Sequence, residues 1–175
     1  IDNVAPESRF DDTLHYSKIL VGCLVKLQNR IFDYLCIIDR GGLSTESLDE
    51  IKDFLRNELN HDVDEEHWSK LNDKEKHDFL YYRLNRPLRV CGMVINTGEP
   101  GGGPFWVRDD KGNCSLQIVE TAQINSDDKE QRRILESSTH FNPVFLACGM
   151  RDYQNQPFDL LKFVDHDAGF IAVKS

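Results

Sequence analysis

Thirty residues, from Asp11 to Arg40, repeat large apolar side chains at helical spacing, and this run constrains the fold more than any other feature. Leu20, Leu24, Leu27, Ile31, Leu35 and Ile38 recur at steps of four, three, four, four and three. Val21, Val25, Phe32 and Cys36 add a parallel stripe one position round. Asp11 or Asp12 is placed to cap the start, and Gly41-Gly42 to end it. Each large side chain in so wide an arc contributes roughly 1.5–3 kcal/mol when buried, so the helix needs a sheet or other helices against it. The stripe reads as core.

A second helix is expected from about Thr45 to Leu59, capped by Ser44, with Leu48, Ile51, Leu55 and Leu59 on one face. A third starts near Asn72, where Asn72 and Glu75 have capping-box spacing, and runs until Pro87 forbids continuation. Between them, "HDVDEEHWSK" reads as a solvated connection pinned to the core by Trp68. After Pro87 the period changes from 3.6 to 2. Strands are expected over Leu88–Asn96, Pro104–Asp110 and Cys114–Ile124, the last two joined by a turn at residues 110–113. A short helix over Asp127–Glu136 follows, then strands in "FNPVFLACGMRDY", "FDLLKFV" and "FIAV".

These elements predict one domain over residues 1–175, with a helical part (1–85) and a strand-rich part (86–175). Its class is α/β, or α+β taken alone: a mixed, largely antiparallel sheet packed against the long N-terminal helix. Ile1 opens as if midway through a strand, so the chain is expected to be a fragment whose partner is a missing N-terminal part of the same protein.

Net charge narrows the partners. Thirty acidic against 21 basic residues give −9, which repels phosphate backbones and argues against nucleic acid or anionic membranes. No apolar run approaches the ~20 residues that span a bilayer, and the expected location is cytoplasmic. The five cysteines are an odd number with no C-x-x-C spacing and read as buried free thiols. His61, His67 and His77 lie in a charged stretch and read as solvated surface residues.

The run Gly101–Gly103, fenced by Pro100 and Pro104, admits two readings. Glycine permits positive φ and lets main-chain N–H groups close around an anion or a sugar hydroxyl. Yet "GEPGGGP" lacks both phosphate-loop spacings, has no adjacent lysine and lies between two strands, which favours a flexible hairpin loop. On these residues alone it is a candidate ligand flap and not a phosphate loop; the resemblance described next implies that it borders a sugar pocket.

Several phrases carry a resemblance. "RVCGMVINTGEPGGGPFWV", "SLQIVETAQI" and "STHFNPVFLACGMRDYQNQPFDLLKFVDHDAGFI" resemble the C-terminal part of a bacterial family known as domain of unknown function 4301. "IDNV" and "YSKILVGCLVKLQNRIF" resemble the segment before it. More distantly, the order of pieces is similar to sugar-1-phosphate nucleotidyltransferases of the UDP-sugar pyrophosphorylase type, which have a GT-A-like fold. "IDNV" is similar to their V-D-N phrase, "CGMV" and "QIVETAQI" to two sugar-facing strands, and "THFNP" to a phrase that supplies an amide.

That resemblance implies the sugar-facing part of a nucleotidyltransferase-like enzyme, acting on a sugar-1-phosphate or nucleotide sugar with Mg²⁺. It implies that Asp2 faces metal and phosphates, and that Gly92 touches the sugar through its backbone. Glu120 would accept from sugar hydroxyls and Asn142 would hold another hydroxyl or an acyl group. The loop that grips nucleotide phosphates in such enzymes has no counterpart here, so the fragment alone is expected to be inactive. Thr121, Gln123 and Pro143 depart from the pattern and keep a second reading open: a non-catalytic ligand-binding or assembly module on the same scaffold.

Overall fold

The long apolar stripe forms one helix, α1 (Phe10–Arg40), preceded by a single 3₁₀ turn (Glu7–Arg9). The computed structural model describes residues 7–98, 101–109, 112–166 and 168–170. Gly41 and Gly42, with φ of 73° and 75°, end α1 as their lack of a Cβ allows. Asp11 and Asp12 lie in its first turn and no side chain caps it. Only part of the stripe is core: Leu24, Ile31, Leu35 and Ile38 are buried, whereas Val21 and Val25 are about half exposed.

Helices α2 (Thr45–Asn57), α3 (Glu65–Lys70) and α4 (Asp73–Leu84) close over the C-terminal half of α1. Ser44 accepts from Ser47 N–H to cap α2. Asn72 and Glu75 exchange both bonds of a capping box, at 3.0 and 2.8 Å. The connection expected to be irregular contains α3. Its Trp68 is buried, and the indole Nε1–H donates to Asp49 Oδ1 at 3.1 Å. Lys52 is buried too, yet its ammonium reaches Glu65 at 3.1 Å. Arg56 first, then Lys52, hold the Glu65 carboxyl below its ordinary range.

The strands form three antiparallel pairs instead of one mixed sheet. β1 (Leu88–Cys91) pairs with β6 (Leu146–Gly149), and β2 (Val94–Ile95) with β5 (His140–Phe141). β3 (Gly103–Arg108) pairs with β4 (Cys114–Val119) from Gly103 opposite Val119 to Arg108 opposite Cys114. The strand expected over Leu88–Asn96 is therefore interrupted. Four residues, 142–145, stand opposite two, Gly92 and Met93, and this bulge separates the first two pairs.

Helix α5 (Lys129–Glu136) is capped by Asp128. The expected strand "FDLLKFV" is instead a 3₁₀ turn over Leu160–Phe163, where Asp159 Oδ1 accepts from Leu161 N–H at 3.3 Å. The expected strand Cys114–Ile124 stops at Val119 and gives way to a 3₁₀ turn over Thr121–Gln123. "FIAV" runs into residues outside those described.

Helical and strand-rich halves meet at a seam. Asp62 N–H donates to Cys114 O at 2.9 Å and Leu116 N–H to Asn60 O at 3.2 Å, so residues 60–62 extend the β3–β4 pair along its second edge. His61 lies in this seam. At α1's end, His77 Nε2 is 3.0 Å from Ile38 O. These two histidines were expected in solvent; both are half-buried, His61 at the join between the halves and His77 between α4 and the end of α1. His67 is exposed.

All five cysteines are free, but Cys23 and Cys148 are exposed instead of buried. Among the described residues, no helix is long and apolar enough to cross a membrane.

Candidate functional site

Asn142, at the bulge, is the hub of the candidate site. Its side chain is buried, and its Nδ2 donates to Gly92 O at 2.7 Å. Its Oδ1 accepts from Val144 N–H at 2.9 Å, holding a β-branched residue at φ 58°, a left-handed conformation that such residues rarely adopt. Asn142 N–H donates to Gly102 O at 2.7 Å, and Gly92 N–H to Phe145 O at 2.8 Å. One residue thus ties together the ends of β1, β3 and β5.

Gly102 brings Glu120 into the same place. A Cβ at Gly102 would stand 2.7 Å from Ile118 Cγ2 and 2.8 Å from Glu120 Oε1. Positions 102 and 120 lie just beyond the Gly103–Val119 end of the β3–β4 pair, so the Glu120 carboxylate rests against the main chain at Gly102. Glu120 N–H donates to Gln123 Oε1 at 2.8 Å, which fixes the strand end carrying that carboxylate.

Gly92, Gly101–Gly103, Glu120 and Asn142 therefore meet at one end of the strand-rich half. Asp2 lies outside the described residues. The glycines do not form the expected flap. Gly102 and Gly103 are buried, and Gly103 opens β3. None of the three has positive φ. They are needed for close approach: a Cβ at Gly101 would sit 3.1 Å from the Phe141 ring, tighter than side chains normally pack. The run is explained by packing.

Asn142 also departs from expectation. Its amide faces the main chain on both sides, so it builds the site. Asn142→Asp replaces the donor with an oxygen facing Gly92 O and is expected to destabilise the fold by about 2 kcal/mol or more. Urea denaturation of the two proteins measures it; equal stability would mean that the bulge does not depend on this amide.

Two cavities lie elsewhere, and neither is lined by Gly92, Gly102, Glu120 or Asn142. One, of about 380 Å³, lies between Gln28 and Phe32 of α1 and the turn from Cys148 to Asn155. The other, of about 330 Å³, lies at the seam and is lined by Arg56, His61, Asp62, Trp106 and Cys114. Burial first, then the charges of Arg83 and Arg86, push the pKa of His61 down to about 4. Among the described residues, no three His, Cys, Asp or Glu side chains are grouped to hold a metal ion.

A family model described as "Domain of unknown function (DUF4301)" matches residues 1–175. The chain belongs to this family. Searches of curated proteins and of solved structures returned no match. The strand ends of this DUF4301 domain converge around Asn142.

Proposed function

We propose that this DUF4301 domain is the sugar-binding part of a nucleotidyltransferase-like protein that acts on a sugar-1-phosphate or nucleotide sugar. The observation that supports this reading is the carboxylate of Glu120, set against Gly102 at a strand end that Asn142 ties to Gly92. A fixed carboxylate beside main-chain groups is suited to accept from the hydroxyls of a polyol, and charge-assisted hydrogen bonds of this kind are the stronger ones. The GT-A-like fold belongs to the same proposal. So do Mg²⁺, which enters only through Asp2, and the missing N-terminal part that would supply a phosphate grip.

Glu120→Gln keeps the side-chain shape and removes the charge. It is expected to weaken binding of a sugar-1-phosphate about tenfold, with unfolding midpoints unchanged, as titration calorimetry of both proteins measures. Unchanged affinity would count against the carboxylate's role.

A second reading, a non-catalytic ligand-binding or assembly module, is favoured by one specific observation. Asn142's amide is engaged by the main chain on both sides, and an amide so held builds a scaffold better than it turns over a substrate.

A further inference from the structure

The cavity at the seam, on the opposite end of the β3–β4 pair from Glu120, has features that the sugar reading leaves unused. Trp106 sits in the middle of β3 yet is 58% exposed, and Leu116, directly opposite on β4, is 40% exposed. Large apolar side chains gathered beside a concavity mark a binding surface more often than scattered ones do. The cavity, about 330 Å³, falls at the small end of ligand pockets, which run roughly 300–1,000 Å³.

The guanidinium in its lining is matched within the protein. Arg56 donates to Glu65 at 2.6 Å and to Val63 O at 2.8 Å. Arg108 lies beside the Cys114 thiol and feels Asp62. The unmatched polar group is His61: its Nδ1 is buried and has no hydrogen-bond partner. A buried polar atom without a partner needs a physical reason, and a ligand that completes it is one.

We propose that the seam cavity binds an uncharged planar heteroaromatic ring, which stacks on the indole of Trp106 and takes a hydrogen bond at the imidazole of His61. Every flat ring has a π face, so stacking supplies affinity, and the histidine selects rings bearing a donor or acceptor. A charged ligand gains little from Arg56, whose guanidinium already has partners. The site stands independently of the sugar reading. Trp106 is four strand residues from Gly102, about 13 Å, so both ends of the hairpin can be occupied at once.

Nicotinamide is the probe, with cyclohexanecarboxamide as a control that keeps the amide and the six-membered ring but has no π face. Indole N–H resonances are followed in ¹⁵N-labelled protein, which contains only Trp68 and Trp106. The Trp106 signal is expected to shift saturably with nicotinamide, and about tenfold more weakly with the saturated control. Trp68, held by Asp49, is expected to stay in place and to report an intact fold in the Trp106→Ala variant. That variant is expected to lose the nicotinamide-induced shifts of the Cys114 and Leu116 amides. His61→Phe is expected to weaken nicotinamide binding about fivefold while Trp106 still responds. Equal response to the two compounds, shifts that never saturate, or amide shifts that persist in Trp106→Ala would each overturn the proposal.

Discussion

Ile38→Ala is expected to destabilise the domain by about 2–5 kcal/mol, whereas Val21→Ala in the same helix costs under about 0.5 kcal/mol. Both residues belong to the apolar arc of α1, and the sequence pattern does not separate them. Their surroundings do. Ile38 is fully buried with Leu35, Leu55, Leu80 and Leu84 where α1, α2 and α4 meet, so removing its outer carbons leaves a cavity among side chains that are themselves immobilised. Val21 is 49% exposed, and its truncation leaves no cavity. Urea midpoints at constant slope measure both, since a changed slope would signal a different unfolded or native state. Comparable costs at the two positions would mean that the core does not lie where the helices converge.

Acid is expected to weaken the fold through His61 before most carboxylates titrate. Above pH 6.5 the ring is neutral in the folded and unfolded chains alike, so it makes no pH-dependent contribution there. Between pH 6.5 and about 4 the unfolded ring takes up a proton that the folded ring refuses, because burial and the charges of Arg83 and Arg86 oppose a cation at that place. Stability therefore falls as pH falls through this window, by on the order of 3 kcal/mol at its lower end. His61→Gln has no such group, and its stability is expected to stay nearly level from pH 6.5 to 4.5. Denaturant unfolding at four pH values across that range compares them. Parallel pH profiles for the two proteins would place the titrating group elsewhere.

Residues that act locally were the legible ones. Ser44 and Asn72 each cap the helix that follows, because a short polar side chain at a helix start serves donors only two or three residues away. Antiparallel pairing of β3 with β4 followed from alternation around a turn. What escaped was set by distant partners. Nothing near Gly92 announces a strand break, since the cause is the surplus of residues 142–145 on the strand opposite. His61 and His77 sit among charges in the sequence, but Ser115 and Ile38 meet them from 54 and 39 positions away.

The triple glycine shows the same limit at the candidate site. Its composition was read as a flexible loop or flap, because glycine is required equally by a ligand, a positive φ or a neighbouring side chain. Only the positions of Phe141, Ile118 and Glu120 decide for the last. In the same way, Glu120 and Asn142 were both singled out by the resemblance as groups facing a sugar. The amide proved to be committed to the main chain, while the carboxylate lies just past the end of β4, against Gly102.

The most direct test of the sugar-binding claim is to titrate glucose 1-phosphate into ¹⁵N-labelled protein and follow the backbone amides. Saturable shifts confined to Gly92, Gly101–Gly103 and Glu120, lost in Glu120→Gln, are the predicted result. Saturation with those amides unmoved, or no response up to millimolar sugar phosphate, would contradict it.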